Sequence, residues 1–144
     1  MQIRSVAVTV CVALFVALAG CPGPSSRPDV ELVPVDGTVT MDGQPLAGAS
    51  VMFGEGAAVG ETDANGHYEL ARGNKKGCPV GDFRVVVEKW VMDDGSPYKS
   101  AEMSPKDAGA KQEIPAKYSD MNATELKATV PAGGGTIDFE LKPE

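Results

Sequence analysis

The chain has 144 residues, with 13 basic and 20 acidic side chains and a formal charge of −7. That length suits one domain with a tail, and the acidic balance argues against nucleic acid, whose binders carry basic patches. The 17 glycines and 11 prolines point to many turns. Beyond residue 20 no segment sustains a 3.6-residue apolar period with helix caps, which excludes a helical bundle.

Arg4 stands ahead of an almost wholly apolar run from Val6 to Ala19, and no acidic residue occurs before Asp29. The run is short for a spanning helix, which needs ~20 apolar residues, and suits the apolar region of a signal peptide. An uncleaved anchor helix is the alternative, and the short run disfavours it. The run closes on Leu18-Ala19-Gly20-Cys21. This stretch resembles the lipobox of bacterial lipoproteins, in which the signal peptide is cut just before the cysteine. The resemblance implies cleavage between Gly20 and Cys21, a diacylglycerol on the Cys21 thiol, and a fatty acyl group such as palmitate on the new amino terminus. Residues 1–20 are then a signal peptide, and 21–32 the lipidated cysteine and a flexible linker. The linker is rich in Pro, Gly and Ser from Pro22 to Pro28 and is expected to be extended.

Loss of residues 1–20 removes Arg4 and no acidic residue, leaving a formal charge of −8. Attraction to anionic lipid is therefore excluded as the anchor, and two or three acyl chains suffice where one is marginal. Pro22 stands where an aspartate often retains lipoproteins in an inner membrane, which favours an outer membrane. The expected location is the bacterial cell envelope. Of the three cysteines, Cys11 leaves with the signal peptide, Cys21 is lipidated and Cys78 stands alone, so no disulfide within the chain is expected.

The remaining chain, 33–144, alternates strand and turn. Val35, Gly37, Val39 and Met41 alternate with Asp36, Thr38 and Thr40, the period-two pattern of a half-buried strand. Asp42-Gly43 is a turn, and Gln44 to Gly48 a corner. Ala49, Val51 and Phe53 are expected to face inward. Ala57 to Thr62 reads as a short strand, Asp63 to Gly66 as a turn, and His67 to Leu70 as a strand with Tyr68 and Leu70 inward. Residues 71–79 read as a polar loop. In Asp82 to Trp90, Phe83, Val85 and Val87 share one face, and Arg84, Val86, Glu88 and Trp90 the other. Leu126, Ala128 and Val130 form a sixth strand; Ile137, Phe139 and Leu141 form a seventh. Seven short strands with turns between them predict an all-β, seven-stranded antiparallel sandwich.

Residues 91–123 break the rhythm. They contain Pro97, Pro105 and Pro115 and no clear strand, and read as a long loop with one helical turn at Ser104-Pro105-Lys106-Asp107. A loop of this length in a small domain is functional or mobile. Replacement of 95–112 by a Gly-Ser linker is expected to leave the fold intact, because loop closure depends weakly on length.

Val35-Asp36-Gly37-Thr38-Val39, Gly43 and Pro45-Leu46-Ala47-Gly48-Ala49-Ser50-Val51 together resemble the opening of carboxypeptidase regulatory-like domains. Thr62-Asp63-Ala64-Asn65-Gly66-His67-Tyr68 is similar to the T-D-x-x-G-x-Y turn of that family, and Pro79 to Val85 to its P-x-G-x-[YF]-x-V segment. Ile114 to Ser119 resembles a recurrent element of small bacterial lipoproteins built on this domain. The resemblance implies a transthyretin-like (prealbumin-like) β-sandwich and says little of function. Pilin-like relatives carry a lysine–asparagine isopeptide bond, but Val35 to Met41 lacks the lysine.

The residues that could carry chemistry read more plainly as scaffold. Asp63-x-Asn65-Gly66 is half a calcium loop, but Asn74 stands where an EF-type loop needs a bidentate glutamate, so a turn is favoured. His67, the single histidine, lies in no zinc or hydrolase motif and is expected at the surface. Lys75 and Lys76 could lower the Cys78 pKa, yet no thiol-enzyme signature accompanies it. No catalytic residue, metal ligand or cofactor is expected. Trp90, Tyr98 and Tyr118 bracket the long loop and could form a platform for a sugar or a partner. The function expected is a noncatalytic, lipid-anchored module at the cell envelope for binding or structural attachment. A carbohydrate-binding domain that recruits a polysaccharide is the alternative, and a hydrolase accessory domain a lesser one. The expected partners are the membrane, through the anchor, and an envelope protein or polysaccharide.

Overall fold

The computed structural model describes residues 30–99 and 102–143. Arg4, the Leu18–Cys21 stretch and the Pro22–Pro28 linker lie outside them. Among the described residues no helix is long and apolar enough to cross a membrane.

The described chain is all-β with one helical turn. It begins with β1 (Leu32–Val33), β2 (Val35–Met41), β3 (Gln44–Pro45), β4 (Ser50–Phe53), β5 (Ala58–Glu61), β6 (His67–Glu69), β7 (Ala71–Arg72) and β8 (Lys75–Lys76). It continues with β9 (Cys78–Pro79), β10 (Gly81–Glu88), β11 (Trp90–Val91), β12 (Lys111–Gln112), α1 (Ala116–Ser119), β13 (Lys127–Val130), β14 (Gly135–Thr136) and β15 (Phe139–Leu141).

One sheet runs β13-β10-β4-β5-β7-β8 and is antiparallel throughout. The other is organised on β2. Its first half pairs antiparallel with β6, placing Gly37 opposite Tyr68. Along its other edge β14 and then β15 run parallel to it. The parallel pairing of the first long strand with the last corrects the fully antiparallel expectation. It follows from the connection: β13 lies in the other sheet, and the Pro131-to-Gly134 turn passes the chain from one sheet to the other.

The alternating rows meet in one core. Val35 and Val39, then Val51 and Phe53, Tyr68 and Leu70, Val85 and Val87, and Phe139 and Leu141 are all buried there, as their period-two spacing predicts. Met41, Phe83 and Ile137 pack against it partly exposed. Aromatic rings fill it, and the Phe53–Phe139 contact runs between the two sheets. Phe53 meets Phe83 at 6.2 Å and Phe139 edge-on at 6.1 Å, and Phe139 stacks on Tyr68 at 6.4 Å.

The resemblance motifs occupy turns and close approaches. At Gly37 a Cβ would lie 1.8 Å from the Ile137 carbonyl oxygen. The Tyr68 hydroxyl donates to that same oxygen at 2.5 Å. Burial, followed by the nearby Asp138 and Asp36 carboxylates, raises the Tyr68 pKa. Gly66 takes φ +75°, and Val39 N–H donates to its carbonyl at 2.8 Å. Asp63 Oδ1 accepts from Asn65 N–H and His67 N–H, at 2.8 and 3.0 Å, which makes the segment a side-chain-closed turn. Thr62 Oγ1 accepts from Ala49 N–H at 2.8 Å and pins the corner after Leu46.

Two expectations are corrected. Residues 71–79 are not a loop: β7 and β8 form a hairpin, β9 pairs with β1, and Cys78 is fully buried. Gly77, at φ +116°, turns the chain inward where a Cβ would meet the Val33 carbonyl at 2.8 Å. Val86, on the face opposite Val85 and Val87, is buried as well, and α1 packs against β10. Finally, 91–123 is not an open loop. β11 and β12 pair within it, Ala110 is buried, and Ile114 and Tyr118 belong to the core. A Gly-Ser linker in place of 95–112 would therefore delete β12 as well as connecting chain.

The helical turn at Ser104 is present as a capped turn. Asp107 N–H donates to Ser104 Oγ at 3.3 Å, and Ala108 N–H donates to the Ser104 carbonyl at 3.1 Å.

Burial raises the Cys78 pKa to about 11, and Arg72 opposes it only in part, so the lowering that Lys75 and Lys76 could have given does not prevail. With the folded pKa values of Cys78 and Tyr68 both above their ordinary 9.0 and 10.0, the unfolded chain releases these protons first as pH rises. The native state then holds more protons than the unfolded one, and stability falls with pH. The stability these groups contribute is complete below pH 9 and lost progressively above it. Urea melts from pH 7 to 11 should show a midpoint that declines from about pH 9. A flat profile would mean that neither group is sequestered.

Candidate binding groove

The outer face of the larger sheet carries one polar row at the end of β10. Strand register places Glu88 beside Ser50 and Ser50 beside Glu61, across β10, β4 and β5. Trp90, two residues beyond Glu88, donates from its indole Nε1 to Glu88 Oε2 at 3.4 Å. Neither aromatic of this region is fully buried: Trp90 and Tyr98 are both half-buried.

The chain after Trp90 folds back on itself. Met92 N–H donates to the Ser96 carbonyl at 2.8 Å around Gly95, whose φ is +82°. Asp94 Oδ1 accepts from Ser96 Oγ at 2.6 Å and Ser96 N–H at 2.9 Å; the first and then the second of these hydrogen bonds lower its pKa. Tyr98 N–H donates to the Trp90 carbonyl at 2.9 Å. The Tyr98 hydroxyl donates to the Met103 carbonyl, so the ring is held at both ends. Trp90, Tyr98, Glu61, Glu88 and Lys99 thereby line a cleft of about 450 Å³.

On the other side the return strand completes a second cavity. β12 pairs with β11 by Trp90 opposite Gln112. Lys89 Nζ and Glu113 Oε2 close the pair at 2.9 Å, and Lys111 Nζ and Asp93 Oδ1 at 2.7 Å. Gln112 Oε1 accepts from Lys89 N–H at 2.8 Å and Ile114 N–H at 3.1 Å. Its amide is thus fixed, and its Nε2 is buried with no acceptor. An orphan donor of this kind costs about 1–3 kcal/mol. Gln112 lines a cavity of about 420 Å³ together with Trp90, Glu88, Lys106, Ser119 and Asp120.

Of the three aromatics expected to form a platform, the structure brings two together. Trp90 and Tyr98 share the first cleft. Tyr118 is turned into the core, where its hydroxyl accepts from Lys142 N–H at 3.4 Å and Lys117 Nζ lies 5.2 Å from its ring centre. It anchors α1 and does not reach the cleft surface. Glu88 was legible on the Trp90 face; Gln112 carries no signal in the sequence, because its role depends on a strand pairing 22 residues away.

The other candidates stay apart. His67 Nε2 lies 4.0 Å from Asp36 Oδ2 on the opposite sheet, with about two-fifths of its side chain exposed. Cys78 is sealed in the core. Among the described residues no group of three His, Cys, Asp or Glu side chains could hold a metal ion. An apolar depression of about 390 Å³ lies elsewhere, between Met41, Leu46 and the Ile114-Pro115 segment. Comparison with protein-family models, with curated proteins and with solved structures gives no match for this chain.

Proposed function

We propose that this chain is a noncatalytic, lipid-anchored binding module of the cell envelope, built on a seven-stranded carboxypeptidase regulatory-like, transthyretin-like sandwich. The observation that carries the reading is a division of labour. The resemblance motifs are spent on the scaffold: Gly37, Tyr68 and Gly66 make close approaches or turns, and Asp63 closes a turn. Trp90, Tyr98, Glu88 and Gln112 of the groove lie outside those motifs, which contribute only Gly48, Ser50, Ala116 and Ser119 to its lining, and β11 pairs with β12 beside it. Binding sites commonly lie on such segments over a fixed scaffold. The absence of a catalytic role is supported by the chemistry of the candidates. The Cys78 thiol is protonated at neutral pH and buried, and His67 has a carboxylate beside it but lies across the molecule from the groove.

The anchor rests on Leu18-Ala19-Gly20-Cys21, and Cys21→Ser tests it. Metabolic labelling with a clickable fatty acid should mark the wild type. The variant should carry no label and should retain its first 20 residues. Equal label on both would overturn the anchored reading.

A carbohydrate ligand is the second reading, favoured by one observation: two half-buried aromatic rings line a cleft that is otherwise polar.

A further inference from the structure

The two cavities beside Trp90 are not independent, since each is lined by both Trp90 and Glu88. We propose that they form one groove with two subsites, and that its ligand is a neutral glycan chain lying across Trp90. This rests on reading the chain as a binding module, and specifies what that module binds.

The charge pattern selects a neutral ligand. The first subsite holds Glu61 and Glu88 against Lys99; the second holds Glu88 and Asp120 against Lys106. Both signs stand in each half, so neither a polyanion nor a cation finds a uniform field. The remaining groups are those a polyol needs. Carboxylates accept hydrogen bonds from hydroxyls, and serine hydroxyls accept or donate. Ser50 lines the first subsite and Ser119 the second. The flat rings of Trp90 and Tyr98 add an apolar surface of the kind that packs on the C–H face of a pyranose. Each cavity falls within the usual size of a small-ligand site.

Gln112 forms a fixed wall of the second subsite. Its Oε1 is already used by two backbone N–H groups, and its Nε2 is closed off from solvent.

Trp90 is the single tryptophan of the chain, so its emission reports on the groove without a label. The full-length protein in detergent can be titrated with cellohexaose, chitohexaose, xylohexaose and maltohexaose and with the corresponding disaccharides. At least one hexaose should shift the emission, and should bind about tenfold or more tightly than its disaccharide because it fills both subsites. Tyr98→Ala perturbs the first subsite. Ser119→Ala removes a hydroxyl of the second. Each should weaken hexaose binding about fivefold or more, with an unchanged near-ultraviolet circular dichroism spectrum.

The proposal is overturned if no hexaose binds at about 1 mM, or if the folded variants bind as the wild type does. Capture from solubilised envelope by wild type and Trp90→Ala separates this failure from that of the broader reading. A protein retained only by the wild type, with no hexaose bound, leaves a binding module whose ligand is not a glycan. Nothing retained through Trp90, and no hexaose bound, removes both.

Discussion

Gly37→Ala is expected to destabilise the domain by about 3–5 kcal/mol, a large part of the 5–15 kcal/mol that holds a typical domain together. The added Cβ would stand 1.8 Å from the Ile137 carbonyl oxygen and 2.9 Å from the Tyr68 hydroxyl. The first obstacle is backbone, so no rotamer change relieves it. Either the last strand moves off β2 or the Tyr68 hydrogen bond breaks, and both lie in the core. Gly133→Ala serves as the control, because a Cβ there meets nothing within 4 Å, and should stay within about 0.5 kcal/mol of wild type. Chemical denaturation measures both. Equal midpoints for the two variants would show that the approach of β2 to Ile137 is not tight.

Phe139→Ala is expected to cost about 3–5 kcal/mol, the usual range for a buried phenylalanine. Its ring lies between Phe53 of one sheet and Tyr68 of the other, at 6.1 and 6.4 Å. Truncation removes the contact that joins the sheets and leaves a cavity in place of a ring. Its neighbour Glu140 is exposed on the same strand, so Glu140→Ala should cost little. If denaturant melts give equal losses for Phe139→Ala and Glu140→Ala, the register of β15 on β2 is wrong.

Most of the core was readable from local spacing. Val51 and Phe53, Val85 and Val87, and Phe139 and Leu141 alternate with polar neighbours, and a half-buried strand writes that alternation into the chain. The burial of Val86 was not readable, because period two assigns a face but does not say whether another element covers it. α1 packs against β10, and its Tyr118 and the preceding Ile114 are core residues embedded in a polar, proline-bearing stretch. Two-residue strands such as β8, β9 and β12 are too short to show any period, so the hairpin at 71–76 and the burial of Cys78 left no trace. Half of the groove was legible, through the aromatic character of Trp90 and Tyr98. The other half, around Gln112, arises from pairing between distant segments and from an acceptor count that only three dimensions supply.

The parallel lane of β14 and β15 along β2 has a temporal consequence. Thr38 N–H donates to Asp138 Oδ1 across 100 residues of chain, and Ile137 N–H donates to the Asp36 carbonyl. The earliest long strand therefore waits for the final one, and Phe139 and Leu141 close the core last. A ribosome adding about 5–20 residues each second needs about 5–20 s to synthesise that interval. Throughout it the nascent polypeptide lacks its closing strand and cannot reach the native state. On the proposed export to the envelope, this postponement suits a precursor that is translocated before it folds: the chain lacks its closed core until Phe139 and Leu141 have been added.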